Sequence, residues 1–347
     1  MRKGVATALA VIAAAAIAVG VYYATSGSTP SYDRAISYTQ TRPPFTPKRT
    51  IGVSTATQLE NALDNLQPGD LVRATANFTV SGSTTISRRR SSWAVVDLTG
   101  HSVKFDYTGG QNEPAVWLNN PSHIRIYGGD ASTSDTGGTC ILAHGSQDVV
   151  WWGFTAHDCG ADGVLLSGRN LGPTENDDFQ GTIWKVGQNL DWDPHTEKGT
   201  GEHCAGEFAD NGGGHAFTNN RMAFYCRDVP TGAAFAFGVS APAVMTGNVL
   251  YLKAVNLTDV AKYQTGGNGV ELWGHTDKMG LDVKYLHVSD AQGYGLFTGG
   301  VYSGQTCQGV TVEHGTATNT NLNPRYADQN PWDRRCGVAY ENVTPAP

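Results

Sequence analysis

A right-handed parallel β-helix, an all-β solenoid with a short N-terminal capping helix, is the fold this chain predicts, and three observations predict it. Short apolar strands bounded by glycine or small turn residues recur along most of the 347 residues, at intervals of about 21 to 34 residues. Forty-three glycines against fifteen prolines mark a chain that turns often. Between the strands there are none of the long stretches of 3.6-residue periodicity that helical or leucine-rich repeats would need.

Residues 1–24 come first. Arg2 and Lys3 precede an apolar run from Val5 to Ala24, about long enough to cross a bilayer as a helix. Small residues at Ala18 and Gly20 suit cleavage of a secretory signal, whereas Tyr22 and Tyr23 suit an interfacial belt on a signal anchor. Either reading exports the body, so the protein is expected to be secreted or held on the outer face of the cytoplasmic membrane. Contact with the membrane is then expected only through this segment. Residues 25–50, rich in Ser, Thr and Pro, read as a tether, and 51–347 as the β-helix domain.

That domain opens with a helix expected over 57–66, capped by Ser54 or Thr57, with Leu59, Ala62, Leu63 and Leu66 on one face. It would cover the open edge of the first coil, and Pro68-Gly69 would stop it. Strands then follow in pairs: WAVVDL (93–98) with HSVKFDY (101–107), AVWLNN (115–120) with HIRIYG (123–128), CILAHG (140–145) with DVVWWGF (148–154), and GVLLSG (163–168) with TIWKVG (182–187). The pattern continues through CAGEFAD (204–210), RMAFYC (221–226), AFAFG (234–238), NVLYLKAV (248–255), GVELWG (269–274), LDVKYLHV (281–288), YGLFTG (294–299), GVTVEHG (309–315) and CGVAYEN (336–342). Of the adjacent Trp151 and Trp152, alternation sends one outward.

Six cysteines in an exported chain imply disulfides. Positions about one coil apart lie above one another, which favours Cys140 with Cys159, Cys204 with Cys226 and Cys307 with Cys336. The formal charge of −7, without a long charged run, argues against a nucleic-acid partner.

Ionisable residues concentrate between Asn189 and Asn220. Alternation puts Asp191 and Asp193 on one face of a strand ended by Pro194, with His195 at its exit. A second strand would carry His203 and Glu207 on the face opposite Cys204, Gly206 and Phe208. Lys198, Arg221 and Arg227 are candidate neutralisers of an anionic substrate, and Tyr225 lies in the same region. Glu271, Trp273 and His275 share a face on GVELWG, where an outward indole beside polar groups suits stacking on a sugar ring. The Arg88-Arg89-Arg90 run reads as a solvated loop or an anion contact. His157-Asp158-Cys159-Gly160 reads as a turn recurring at Asp210-Asn211-Gly212.

From about Ser54 to Asn342 the chain, with its capping helix, the Pro-Gly-Asp of 68–70 and its coils, resembles the pectin-lyase-like superfamily of parallel β-helix proteins. That resemblance implies the fold, and a range of chemistries that includes lyases, epimerases, hydrolases, esterases and tailspikes. Asp193-Pro194-His195, followed by Asp210-Asn211-Gly212, is similar to the Asp-Pro-His site of mannuronan carbon-5 epimerases. This second resemblance implies that His195 and a tyrosine exchange the proton at carbon 5, while Asp193 and a cation support the uronate carboxylate. The family's tyrosine position is Leu190 here, so Tyr225 or Lys198 would substitute for it.

The expected function is therefore an extracellular enzyme acting on a polysaccharide. Lyase or epimerase chemistry on a uronate-containing glycan comes first, with Asp191, Asp193, His195, Lys198, His203 and Glu207 as catalytic candidates and calcium as the candidate cofactor. Removing a proton beside a carboxylate requires a base near neutral pH and neutralisation of the charge. Hydrolysis by two carboxyl groups comes second, and a non-catalytic glycan-binding surface solenoid third.

Overall fold

The structure is a computed structural model. It describes residues 42–108, 113–133, 138–159, 163–167, 178–180, 183–186, 206–209, 215–218, 221–224, 233–238, 243–246, 249–252, 268–274, 281–284, 286–289, 293–301, 307, 310–318, 320, 321 and 328–346. Three parallel sheets form the walls of a β-helix, the predicted fold. An eleven-stranded sheet begins with Arg49–Val53, Asp70–Ala74, Ala94–Asp97, Ser122–Tyr127 and Gln147–Trp152. A nine-stranded sheet begins with Phe78–Val80, Val103–Asp106, Asp130–Ser132 and Thr155–Cys159. The eight-stranded sheet consists of Thr84–Ser87, Val116–Asn119, Ile141–His144, Val164–Ser167, Gly206–Ala209, Ala233–Gly238, Asn268–Gly274 and Leu296–Val301.

Each coil visits the eleven-, nine- and eight-stranded walls in turn, and each strand pairs with its equivalents in the neighbouring coils. The core is what this alternation points inward. Val96, Ile126 and Trp151 from the first wall meet Phe105, Ala131 and Ala156 from the second and Val116, Leu118 and Ile141 from the third, all within one buried cluster. The corner between the first two walls is tight: Gly128-Gly129 joins Tyr127 to Asp130, and Gly153-Phe154 joins Trp152 to Thr155. Its first residue is left-handed, with φ of 70° at Gly128 and 64° at Gly153, a conformation that glycine adopts without steric cost. At Gly128 a Cβ would also come within 3.0 Å of the Thr99 side chain.

The capping helix spans Ala56–Asp64, and neither predicted cap residue is its N-cap. Thr55 takes that place in extended conformation, its side chain accepting the Gln58 N–H, while the Gln58 side-chain oxygen accepts the Ser54 N–H at 2.8 Å. The first contact satisfies a donor that the first turn leaves without a helical partner, and the second ties the residue before the cap to the helix. Leu59, Ala62 and Leu63 are buried, as is Leu66 just beyond the helix. The first strand starts at Arg49, inside the predicted tether, because Arg49 is fixed to Asp70 by hydrogen bonds of 2.9 and 2.5 Å.

Several expectations need correction. LDVKYLHV is two strands, Leu281–Lys284 and His287–Ser289, in different sheets, since Leu286 turns inward and is buried at the corner. His157-Asp158-Cys159 is strand rather than turn. Arg90 is not solvated: its guanidinium donates to the carbonyls of Leu66, Arg88 and Ser87. Trp152 does face away from the core, yet it is buried under other side chains.

Two of the three predicted disulfides are present, Cys140–Cys159 and Cys307–Cys336. Cys204 and Cys226 lie outside the described residues, as do residues 1–24 and most of the tether. Among the described residues no helix is long and apolar enough to cross a membrane.

Candidate functional site

The eight-stranded wall carries three of the sequence's candidate site residues, Glu207, Glu271 and Trp273. Its inward positions are buried and apolar, including Val116, Leu118, Ile141, Ala143, Val164, Val270 and Leu272. The positions between them form a row that crosses the wall along the helix axis. It runs Thr85, Trp117, Leu142, Leu165, Glu207, Ala236, Glu271 and Phe297, each paired with the next. A second outward row, two residues on, runs Ser87, Asn119, His144, Ser167, Ala209, Gly238, Trp273 and Gly300, with a register shift between Glu271 and Trp273.

Two acidic positions that lie far apart in the chain thus share one row, separated by a single alanine strand. Neighbouring strands are about 4.8 Å apart, so the Glu207 and Glu271 backbones stand about 9.5 Å from one another across Ala236. The next row places Trp273 directly beside Gly238. The close approach of the last two strands depends on Gly269, where a Cβ would lie 2.5 Å from the Gly295 carbonyl oxygen.

Of the other predicted site residues, Arg221 opens the strand Arg221–Phe224 in the nine-stranded sheet, a different wall from Glu207 and Glu271. Asp191, Asp193, His195, Lys198, His203, Tyr225, Arg227 and His275 lie outside the described residues. The first five of these belong to residues 187–205, between the strand Ile183–Val186 and the strand that carries Glu207.

Sequence reasoning missed the N-terminal part of the same wall. Trp117, Leu142 and Leu165 are partly exposed on it, and the Trp117 ring meets the His144 ring edge-on, with centroids 6.1 Å apart. The signal was present in AVWLNN, CILAHG and GVLLSG, where alternation places these three residues opposite the core.

The other walls are occupied differently. On the nine-stranded sheet the His157 ring reaches Asp130 at 2.7 Å, and the Ser132 hydroxyl bonds Asp106. On the outer face of the eleven-stranded sheet Leu71, Val95, Tyr127 and Trp152 form their own buried cluster, against which Phe45 packs. Arg42 lies 4.5 Å over the Tyr127 ring and pairs with Asp97.

Electrostatically, several of the perturbed groups among the described residues lie toward the ends of the solenoid. Burial pushes the Asp70 carboxyl upward, but the Arg49 and Gln67 hydrogen bonds and the charges of Arg49 and Arg90 outweigh it and hold the pKa below the usual range. Asp333 behaves alike: burial raises it, while Arg335 and the Thr298 N–H lower it further. Burial brings Arg90 down to about 10. Among the described residues no group of three or more His, Cys, Asp or Glu is arranged to hold a metal ion.

No family model and no curated protein matches this chain. Among solved structures, an alginate lyase from Paenibacillus sp. str. FPU-7 is similar over 85% of this chain and 99% of its own, at 13% identity and a TM-score of 0.49. A polygalacturonase from Erwinia carotovora ssp. carotovora covers 88% and 95% at 12% identity and a TM-score of 0.45. PfbA, a surface adhesin of Streptococcus pneumoniae, covers 76% and 85% at 8% identity and a TM-score of 0.35.

Proposed function

We propose that the protein is an extracellular polysaccharide-cleaving enzyme whose glycan lies across the outer face of the eight-stranded sheet, with Glu207 and Glu271 as the reacting pair. The observation that carries this reading is the shared row, two acidic positions about 9.5 Å apart with only Ala236 between them. Glutamates on alternate strands of one row can bring their carboxyl groups within the roughly 6.5–9.5 Å that inverting glycosidases use to admit a water. One carboxylic acid gives its proton to the departing glycosidic oxygen. The other carboxylate takes a proton from the water, whose oxygen bonds to the anomeric carbon from the opposite side as the bond to the leaving group breaks. The strand between the two acids has alanine at 236 and glycine at 238, and Trp273 is in register with Gly238.

A second reading keeps proton abstraction beside a uronate carboxylate, with His195 or His203 as base, Asp193 and Lys198 on the carboxylate, and calcium as an added cation. Its candidate residues fall in the connection 187–205 that precedes the strand of Glu207 in the sequence, outside the described residues.

The test is a glycan panel incubated with the protein and with its Glu207→Gln and Glu271→Gln variants. Reducing ends with inverted anomeric configuration, and turnover lowered about a thousandfold or more in both variants, are expected of a pair that acts together. New carbon–carbon double bonds, or epimerised residues with no chain cleavage, would transfer the assignment to the second reading. Binding without any product would leave a glycan-binding solenoid.

A further inference from the structure

Resting on the reading that the eight-stranded wall binds a glycan, we infer that its N-terminal half is an extended subsite for an uncharged sugar chain, with Trp117 as the distal anchor. Starting at Glu207 and moving toward the N-terminal coils, the first outward row reads Leu165, Leu142, Trp117, and all three side chains are partly exposed. Beside it the second row reads Ser167, His144, Asn119. An apolar track therefore runs parallel to a polar one, both along the solenoid axis and both leading to the carboxylate row.

This pairing matches the two chemical surfaces of a pyranose. The C–H face of the ring packs on apolar and aromatic side chains, while the hydroxyls at its edge exchange hydrogen bonds with amide, imidazole and hydroxyl groups. Strands repeat every 4.8 Å or so, close to the length of one sugar in an extended chain, so each coil can meet one sugar. Trp117 then stands about 14 Å, three coils, from Glu207. The His144 ring, edge-on to the indole at an interplanar angle of 87°, supports one side of that platform.

The charge pattern selects the ligand class. Across all eight strands neither outward row contains a lysine or arginine, and the first contains two glutamates. Of the nearby guanidinium groups, Arg90 is committed to three backbone carbonyls. Arg89 bridges coils through Asn120 at 2.9 Å and Gln147 at 2.6 Å. Along the two outward rows of the described strands a polyuronate's carboxylates would meet no lysine or arginine, whereas a neutral chain meets no such mismatch.

The experiment is calorimetric titration of the full-length Glu207→Gln protein, with and without Trp117→Ala, using neutral hexasaccharides and trisaccharides (cello-, xylo- and manno-series) and hexagalacturonate and hexamannuronate. At least one neutral hexasaccharide should bind more tightly than either uronate. Its affinity should fall about tenfold or more in Trp117→Ala, the loss typical of an aromatic anchor, and the trisaccharide should lose the advantage of length. Tighter binding of a uronate, no binding of any neutral hexasaccharide, or equal affinities with and without Trp117 would each overturn the inference. Turnover by the unsubstituted enzyme is measured separately. Trp117-dependent binding with no cleavage would remove the catalytic reading but keep the subsite; cleavage with no Trp117 dependence would do the reverse.

Discussion

The outer faces of two walls receive the same kind of residue and treat it differently. On the eleven-stranded sheet the outward Leu71, Val95, Tyr127 and Trp152 are packed together, with Phe45 against them and Arg42 over the Tyr127 ring. On the eight-stranded sheet the outward Trp117, Leu142 and Leu165 stay partly exposed and share a row with two glutamates. An aromatic residue facing away from a core is therefore not in itself a sign of binding. What distinguishes the two cases, among the described residues, is whether the chain returns to cover it. Residues 42–48 do so on one wall, with the Lys48 N–H bonded to the Gly69 carbonyl at 2.8 Å, and that wall is structural.

The contrast can be broken most sharply with one tryptophan from each wall. Trp152→Ala is expected to cost about 3–5 kcal/mol, as large-to-small changes at buried aromatics do, and to leave glycan affinity unchanged. Trp117 is only partly exposed, so Trp117→Ala should lower stability by about 1–2 kcal/mol, less than Trp152→Ala, while weakening binding. Denaturant unfolding and calorimetry on both variants check this, and a Trp152 variant that folds normally but loses glycan would erase the distinction. A smaller effect belongs to the cover itself. Phe45→Ala removes a partly buried ring and should lower stability by about 1–2 kcal/mol, read by the same unfolding curves, again with no change in affinity.

The smallest effect near neutral pH, and a growing one in acid, concerns Asp70 and Asp333. Both carboxyls titrate below their ordinary value in the folded protein. Their contribution is therefore present above the unfolded value of about 4 and is lost as pH falls through the lower folded values. Thermal midpoints should hold from neutrality down to about pH 4 and decline below it. Asp70→Asn should start from a lower midpoint and flatten that decline, and an unchanged acid slope in Asp70→Asn would refute the assignment.

These walls were legible in the sequence to different degrees. Leu59, Ala62 and Leu63 fall on one helical face, so the capping helix could be read directly, although its cap residue could not, because Ser54, Thr55 and Thr57 offer the same chemistry. Strands with two or more inward apolar residues, such as Val116–Asn119, declared themselves by alternation. Asp130–Ser132 did not, since three residues with one inward alanine show no period. Arg90 was misread because three successive arginines resemble a solvated run, and only the fold reveals carbonyls from Leu66, Arg88 and Ser87 converging on the last of them. Glu207 and Glu271 were each conspicuous alone. Their alignment was hidden because the connections between strands vary in length from coil to coil, so distance along the chain carries no register.

The most direct measurement is a crystal structure of the Glu207→Gln protein with a bound oligosaccharide of the series that binds in titration. Sugar density is expected along the outer face of the eight-stranded sheet, passing over Ala236 between positions 207 and 271 and reaching Trp117. Sugar seated instead on the nine- or eleven-stranded wall, with the 207–271 row bare, would contradict the account.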